Sequence, residues 1–206
     1  MRRKGIFKSE QERLSNKNNL IQEEEQFLKQ YSNFGADVGL FSFFFFNLLN
    51  LKPGQAIFTD AGEPHAYIEG NIIECMANSD NVVRAGLTNK YKDVDTLIDV
   101  IKYNFKKYNI INEEQIEDNV IFKTSAEEFQ LTLYKKEDGF SSIFLTYNKP
   151  VVVLILEGAL EIENTENSFS ENFKKGESFL IPALMEKFIL KCLKDSRFII
   201  VEIPMI

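Results

Sequence analysis

The chain carries a single histidine, His65, and this bounds its chemistry. Ser-His-Asp or Cys-His catalysis would have to use it, and a metal site drawn from this chain alone holds at most one imidazole. His65 follows Gly62-Glu63-Pro64, a turn pattern after the run Ala56 to Thr59, which predicts a side chain presented at the mouth of a barrel. Glu74 interrupts the apolar run Ile72-Ile73-Glu74-Cys75-Met76. A carboxylate there is either paired or functional, because an isolated buried charge is very costly. Ser79-Asp80-Asn81 reads as a polar turn, and Val82-Val83 leads to Arg84-Ala85-Gly86. His65, Glu74, Asp80, Arg84 and Lys90 thus offer an imidazole, two carboxylates, a guanidinium and an ammonium within one stretch. That set suits a small anionic substrate with a metal nearby. The plainer alternative is a surface cluster of salt bridges.

Two kinds of element must position these groups. From Glu10 to Tyr31, Leu14, Ile21 and Leu28 recur every seven residues, with Leu20, Phe27 and Tyr31 beside them. That pattern predicts one amphipathic helix, ended by the turn formers Ser32-Asn33-Phe34-Gly35. From Asp37 to Ile73 short apolar runs are punctuated by Pro53-Gly54, Gly62, Pro64 and Gly70-Asn71, a texture of strands and turns. A second helix is signalled by Asp93 or Asp95 as N-cap, with Val94, Leu97, Ile98, Ile101 and Phe105 at helical spacing. The polar, acidic stretch Asn109 to Glu128 reads as a linker. Beyond it, seven strand-like runs begin at Phe129, Ile143, Val151, Leu160, Ser178, Phe188 and Phe198, predicting a small β-sandwich or barrel. The biased stretch Phe41 to Phe46 needs no function to explain it.

Composition excludes several classes. The 206 residues hold 24 Lys+Arg against 31 Asp+Glu, a formal charge of −7, with 44% apolar residues. Without a basic stripe, nucleic acid is excluded as the main partner. The most apolar stretch, Leu40 to Leu51, contains Ser42, Asn47 and Asn50 and falls short of the roughly 18 residues needed to cross a bilayer, so no membrane partner is expected. Cys75 and Cys192 lack CxxC spacing, and Met1-Arg2-Arg3-Lys4 opens no signal-peptide pattern; a reduced, cytoplasmic protein is the expectation.

Two blocks, Leu156-Glu-Gly-Ala-Leu-Glu-Ile162 and Lys175-Gly-Glu-Ser-Phe-Leu-Ile-Pro-Ala183, resemble the halves of the cupin pattern, in which a Gly turn feeds a strand that ends at Pro. Neither contains a histidine, so the terminal barrel is expected to be metal-free. The stretch His65-Ala-Tyr-Ile-Glu-Gly-Asn-Ile-Ile-Glu-Cys-Met-Ala-Asn-Ser-Asp-Asn-Val-Val-Arg-Ala-Gly-Leu-Thr-Asn-Lys90 resembles the signature of the type I phosphomannose isomerases, the mannose-6-phosphate isomerases. The likeness extends to Asp37-Val38-Gly39, to Leu51-Lys-Pro-Gly-Gln-Ala-Ile-Phe58 and to Asp93-Val94; Asn89 stands where the family usually has Pro.

The resemblance implies a zinc-dependent isomerase interconverting mannose 6-phosphate and fructose 6-phosphate by proton transfer between C1 and C2. It implies that His65 is a zinc ligand and that Tyr67, Glu74, Asp80, Arg84 and Lys90 line the sugar-phosphate pocket. Arg84 and Lys90 would meet phosphate or developing negative charge, while Glu74 is a candidate acid/base or an orienting group. Tyr67, two residues after His65 on a strand, would share its face. Family members are about twice this length, and their pattern Tyr-x-Asp-x-Asn-His-Lys-Pro-Glu is not matched in this chain. The chain is therefore expected to be their C-terminal half, with an incomplete zinc site. The expected fold is mostly β: a helical segment at 1–36, the C-terminal part of a catalytic cupin jelly-roll barrel at 37–92, a helix and linker at 93–128, and a complete second barrel at 129–206. A competing class is a non-catalytic cupin module that needs the missing N-terminal half or self-association. A cupin oxygenase needs several histidines and is excluded by their number.

Overall fold

The computed structural model describes residues 2–79, 81–103, 108, 110–111, 113–116, 119–164, 166 and 169–205, with the side chains of 2–4 and 113–116 outside that description. Two compact units emerge: Met1–Asn71 with Ser79–Asn109, and Ile72–Asn78 with Ile110–Ile206.

The first unit is built on helices. Where one helix was expected there are two, α1 (Arg2–Ser15) and α2 (Gln22–Phe34). The break falls at the asparagine-rich segment Asn16-Lys-Asn-Asn19, because asparagine side chains compete with the helix for backbone partners. Asn16 donates to the Glu12 carbonyl at 2.9 Å. The Ile21 amide donates to the Glu24 carboxylate at 3.1 Å and so meets an orphan donor at the start of α2. Gly35 ends α2 with φ +64°, its amide donating to the Tyr31 carbonyl. A 3₁₀ turn (Val38–Phe41) and the short helices α3 (Ser42–Phe45) and α4 (Val94–Val100) follow, the last capped by Asp93, which accepts from the Thr96 amide at 3.1 Å.

Phe7, Leu14, Phe27, Leu40 and Phe43 form the buried centre of this unit. The phenylalanine-rich stretch is therefore not idle composition. Phe41 lies 5.0 Å from Phe7, and Phe44 lies 5.5 Å from Phe27, ring centre to ring centre. The strands expected between residues 37 and 92 do not form: among the described residues this stretch is helical turn, bend and extended chain without ladder partners. A strand needs a neighbour in register to bond its amides and carbonyls. These segments are fastened instead by side chains.

The second unit is a two-sheet β structure, in keeping with the cupin-type, mostly β fold expected. Its strands are β1 (Glu113–Ile116), β2 (Asn119–Phe122), β3 (Gln130–Lys136), β4 (Ser141–Leu145), β5 (Val151–Glu157), β6 (Ala159–Asn164), β7 (Phe169–Lys174), β8 (Ser178–Ile181), β9 (Lys187–Cys192) and β10 (Ser196–Glu202). The sheets run β1-β2-β3-β10-β5-β8 and β4-β9-β6-β7, with antiparallel pairing throughout. The stretch read as linker holds the β1–β2 hairpin, which extends the larger sheet through Val120↔Leu133 and Phe122↔Leu131. Strand β7 escaped the sequence reading because Phe-Ser-Glu-Asn-Phe-Lys has little apolar alternation.

Inward residues of both sheets meet in one core: Val151, Val153 and Ile155 of β5 and Phe198 and Ile200 of β10 face Leu160 and Ile162 of β6 and Phe188 and Leu190 of β9. At the β5–β6 corner Gly158 has φ +90°, and a side chain there would run into Ser196.

Candidate functional site

The segment bearing His65 is fixed at both ends within the first unit. Before it, Gly62 turns with φ +82°, and a Cβ there would lie 2.6 Å from the Val100 carbonyl oxygen. Only glycine fits this close approach. The Gly62 carbonyl accepts from the Lys102 amide at 2.9 Å, tying the turn to the end of α4. The Glu63 carboxylate accepts from the Asp60 amide at 3.2 Å and from the Tyr108 hydroxyl at 2.7 Å. After it, Ile68 packs on the helical core and Glu69 pairs with Lys29 of α2 at 2.7 Å. The hydrogen bond from Lys29 holds the Glu69 carboxyl below the usual range.

His65 itself is exposed, with Nδ1 3.0 Å from the Glu63 carbonyl oxygen. In the tautomer that donates through Nδ1, Nε2 carries the ring's lone pair. The Tyr67 ring sits 5.8 Å from the imidazole, tilted by 55°. The two side chains share one side of an extended stretch, although no strand forms there.

A second segment, Arg84 to Lys92, rests on the same helical core through Leu87. Arg84 and Lys90 are both exposed on it. Asp37 holds this segment. Its Oδ1 accepts from the Gly39 amide at 2.8 Å and from the Leu87 amide at 3.0 Å, and its Oδ2 accepts from Lys92 Nζ at 3.2 Å. Burial pushes the Asp37 carboxyl up, but the Leu87 and Gly39 amides and Lys92 together outweigh it and hold the group below the ordinary aspartate value.

The sequence candidates therefore divide. His65 and Tyr67 are brought together, and Arg84 and Lys90 stand on a second segment anchored to the same core. Glu74 lies in Ile72–Asn78, which belongs to the second unit. Asp80 lies outside the described residues. Among the described residues no three His, Cys, Asp or Glu gather as a metal site would require. Burial pushes the Cys75 thiol up, away from nucleophilic use. Sequence reasoning overlooked Asp37 as a fastener, although Asp-x-Gly before an apolar run is a capping signal.

The chain is 42% identical over 183 residues to a Dictyostelium discoideum protein named "Probable mannose-6-phosphate isomerase", covering 82% of this chain and 40% of that one. It is 36% identical over 187 residues to mannose-6-phosphate isomerase 2 of Arabidopsis thaliana, covering 90% of this chain and 41% of that one. The crystal structure of mannose 6-phosphate isomerase from Salmonella typhimurium bound to fructose 6-phosphate and zinc matches at a TM-score of 0.76 and 26% identity, over 98% of this chain and 49% of that one. No protein-family model matches. The chain spans about two fifths of the length of the curated relatives it matches. Sequence and fold agree: this chain is a relative of the mannose-6-phosphate isomerases, and its match to part of their length is consistent with their C-terminal half.

Proposed function

We propose that this chain supplies the sugar-phosphate-binding part of a mannose-6-phosphate isomerase, acting on mannose 6-phosphate and fructose 6-phosphate. The observation that carries this reading is the anchoring of two signature segments, His65–Tyr67 and Arg84–Lys90, on one helical core through Ile68 and Leu87. Arg84 offers a rigid fork of donors for phosphate oxygens or for negative charge developing along C1 and C2. Lys90 meets phosphate as a point charge. Tyr67 gives a hydroxyl to the sugar, and Glu74 is the signature's candidate acid/base or orienting group.

Among the described residues zinc finds no full ligand set. Zinc sites use three or four protein ligands, and His65 is the one imidazole available. The remaining donors come from an N-terminal half or, by self-association, from a second copy of this chain. The cytoplasm suits such a protein: the thiols of Cys75 and Cys192 are unpaired, as a reducing compartment keeps them.

The test is kinetic, on this chain combined with the separately produced N-terminal half of the Arabidopsis relative. Arg84→Ala should cut turnover by about a hundredfold or more, the scale of losing one oriented donor to developing charge, and Lys90→Ala should chiefly raise KM. Unchanged constants for both variants would remove these residues from the phosphate site and overturn the reading.

A further inference from the structure

Between Gly86 and Lys92 the chain closes a small circuit whose hub is a side chain with no place in the signature chemistry. Asp37 takes the Leu87 amide on one oxygen and Lys92 Nζ on the other, bonds that span 50 and 55 residues of sequence. Lys92 Nζ also donates to the Thr88 carbonyl at 2.9 Å, and Thr88 Oγ1 accepts from the Lys90 amide at 3.1 Å. The backbone on either side of Lys90 is thereby stitched to one carboxylate.

Steric contacts enforce the same closure. A Cβ on Gly86 would lie 2.8 Å from the Gly39 Cα and 3.0 Å from Asp37 Oδ1, so the two glycines touch through bare backbone. Leu87 takes φ +50°, a conformation that costs a branched-chain residue energy and persists only where its surroundings impose it. Its surroundings do so, with its amide on Asp37 and its side chain in the helical core. The Asp37 side chain is only 16% exposed and Lys92 32%, so this ion pair is better shielded than those on the surface.

We infer that Asp37 is a positioning residue of the sugar-phosphate pocket, setting through Leu87 and Lys92 the placement of Arg84 and Lys90. The inference rests on the function proposed above. Asp37→Asn is the sharp perturbation, since it keeps the side chain's size and an oxygen for the amides. It also turns an NH₂ donor toward the Lys92 ammonium, which has only donors itself. The circuit opens at Lys92 without creating a cavity.

Fructose 6-phosphate titrated into the isotope-labelled 206-residue chain, followed by amide NMR shifts, tests this. The unsubstituted chain should bind; Asp37→Asn and Lys92→Met should each weaken binding about tenfold, a change of about 1.4 kcal/mol. Arg84→Ala should weaken it as well, and Asp37→Asn placed on Arg84→Ala should lose less than the two single losses combined, because the first acts through the second. Hydrogen exchange at the Leu87 amide should quicken in Asp37→Asn while α2 stays protected. Unchanged affinity in Asp37→Asn and Lys92→Met, with Arg84→Ala still weakened, would overturn the positioning role and leave the proposed function standing. Full additivity with both Arg84→Ala and Lys90→Ala would also overturn it, showing a merely structural Asp37. Absence of binding by the unsubstituted chain would overturn the proposed function and this inference together.

Discussion

Gly86→Ala should destabilise the helical unit while Gly5→Ala stabilises it, although both replace a glycine by the same residue. An added Cβ at Gly86 would lie 2.8 Å from the Gly39 Cα and 3.0 Å from the Gly39 nitrogen. Carbon atoms rest at about 3.5–4.0 Å, so the two backbones must part by about 0.7 Å or more. Gly39 cannot simply withdraw, because it lies in the turn Val38–Phe41, whose Leu40 is fully buried. Overpacking of this kind costs about 1–3 kcal/mol. Parting the segments also stretches the 3.0 Å bond from the Leu87 amide to Asp37, one of a class worth about 1.5–3 kcal/mol when a charged partner is involved. Because the bond lengthens rather than breaks, only part of it is lost and the combined loss should be about 2–4 kcal/mol. At about 4–8 °C per kcal/mol for a unit of this size, the helical transition should fall by about 8–32 °C. Gly5, inside α1, has nothing within 4 Å of an added Cβ. Alanine there gains up to about 1 kcal/mol of helix propensity. Circular dichroism at 222 nm during heating reads both. A Gly86→Ala protein melting at or above the unsubstituted one would refute the close packing of the Arg84–Lys92 segment on the turn at Gly39.

Other perturbations separate the units and the site. Gly158→Ala, with φ +90° and a Cβ 2.1 Å from Ser196 Oγ and 2.5 Å from the Asp195 carbonyl oxygen, should cost the β unit more than about 3 kcal/mol by denaturant unfolding; a loss under about 1 kcal/mol would show a relaxed corner. Leu160→Ala, at a fully buried site between the sheets, should cost about 2–5 kcal/mol in the same assay. Arg84→Ala, on an exposed residue, should leave thermal stability within about 0.5 kcal/mol, and a collapse would make Arg84 structural. Asp37 has a folded pKa below its unfolded value, so its contribution is present above the unfolded value near 3.8 and is lost as pH falls through the lower folded value. Acid titration should therefore loosen the Leu87 amide below about pH 4 and not between pH 5 and 7; loosening in the upper range would point to another group.

The β unit was legible because its strands carry their signal locally. Val151–Glu157 and Lys187–Cys192 are short apolar runs whose burial alternates, and Gly158 and Gly176 mark turns. Strand β7 and the β1–β2 hairpin were hidden, since edge and solvent-facing strands need less apolar alternation. The helix count failed at Asn16–Asn19, where a seven-residue repeat ran on across a break that only the asparagines announced. Of the proposed site, His65, Arg84 and Lys90 stood out by spacing and residue type, and Tyr67 entered through the resemblance to the isomerase signature. Asp37 could not, because its partners Leu87 and Lys92 lie 50 and 55 residues away and nothing local encodes that closure.

The most direct test is formation of fructose 6-phosphate from mannose 6-phosphate by this chain mixed with the N-terminal half of the Arabidopsis relative, with zinc and with a chelator, against each half alone. Turnover should appear in the mixture only and vanish with the chelator, since neither half would hold the full ligand set. A mixture that forms a stable, zinc-loaded complex yet produces no fructose 6-phosphate would contradict the proposed function.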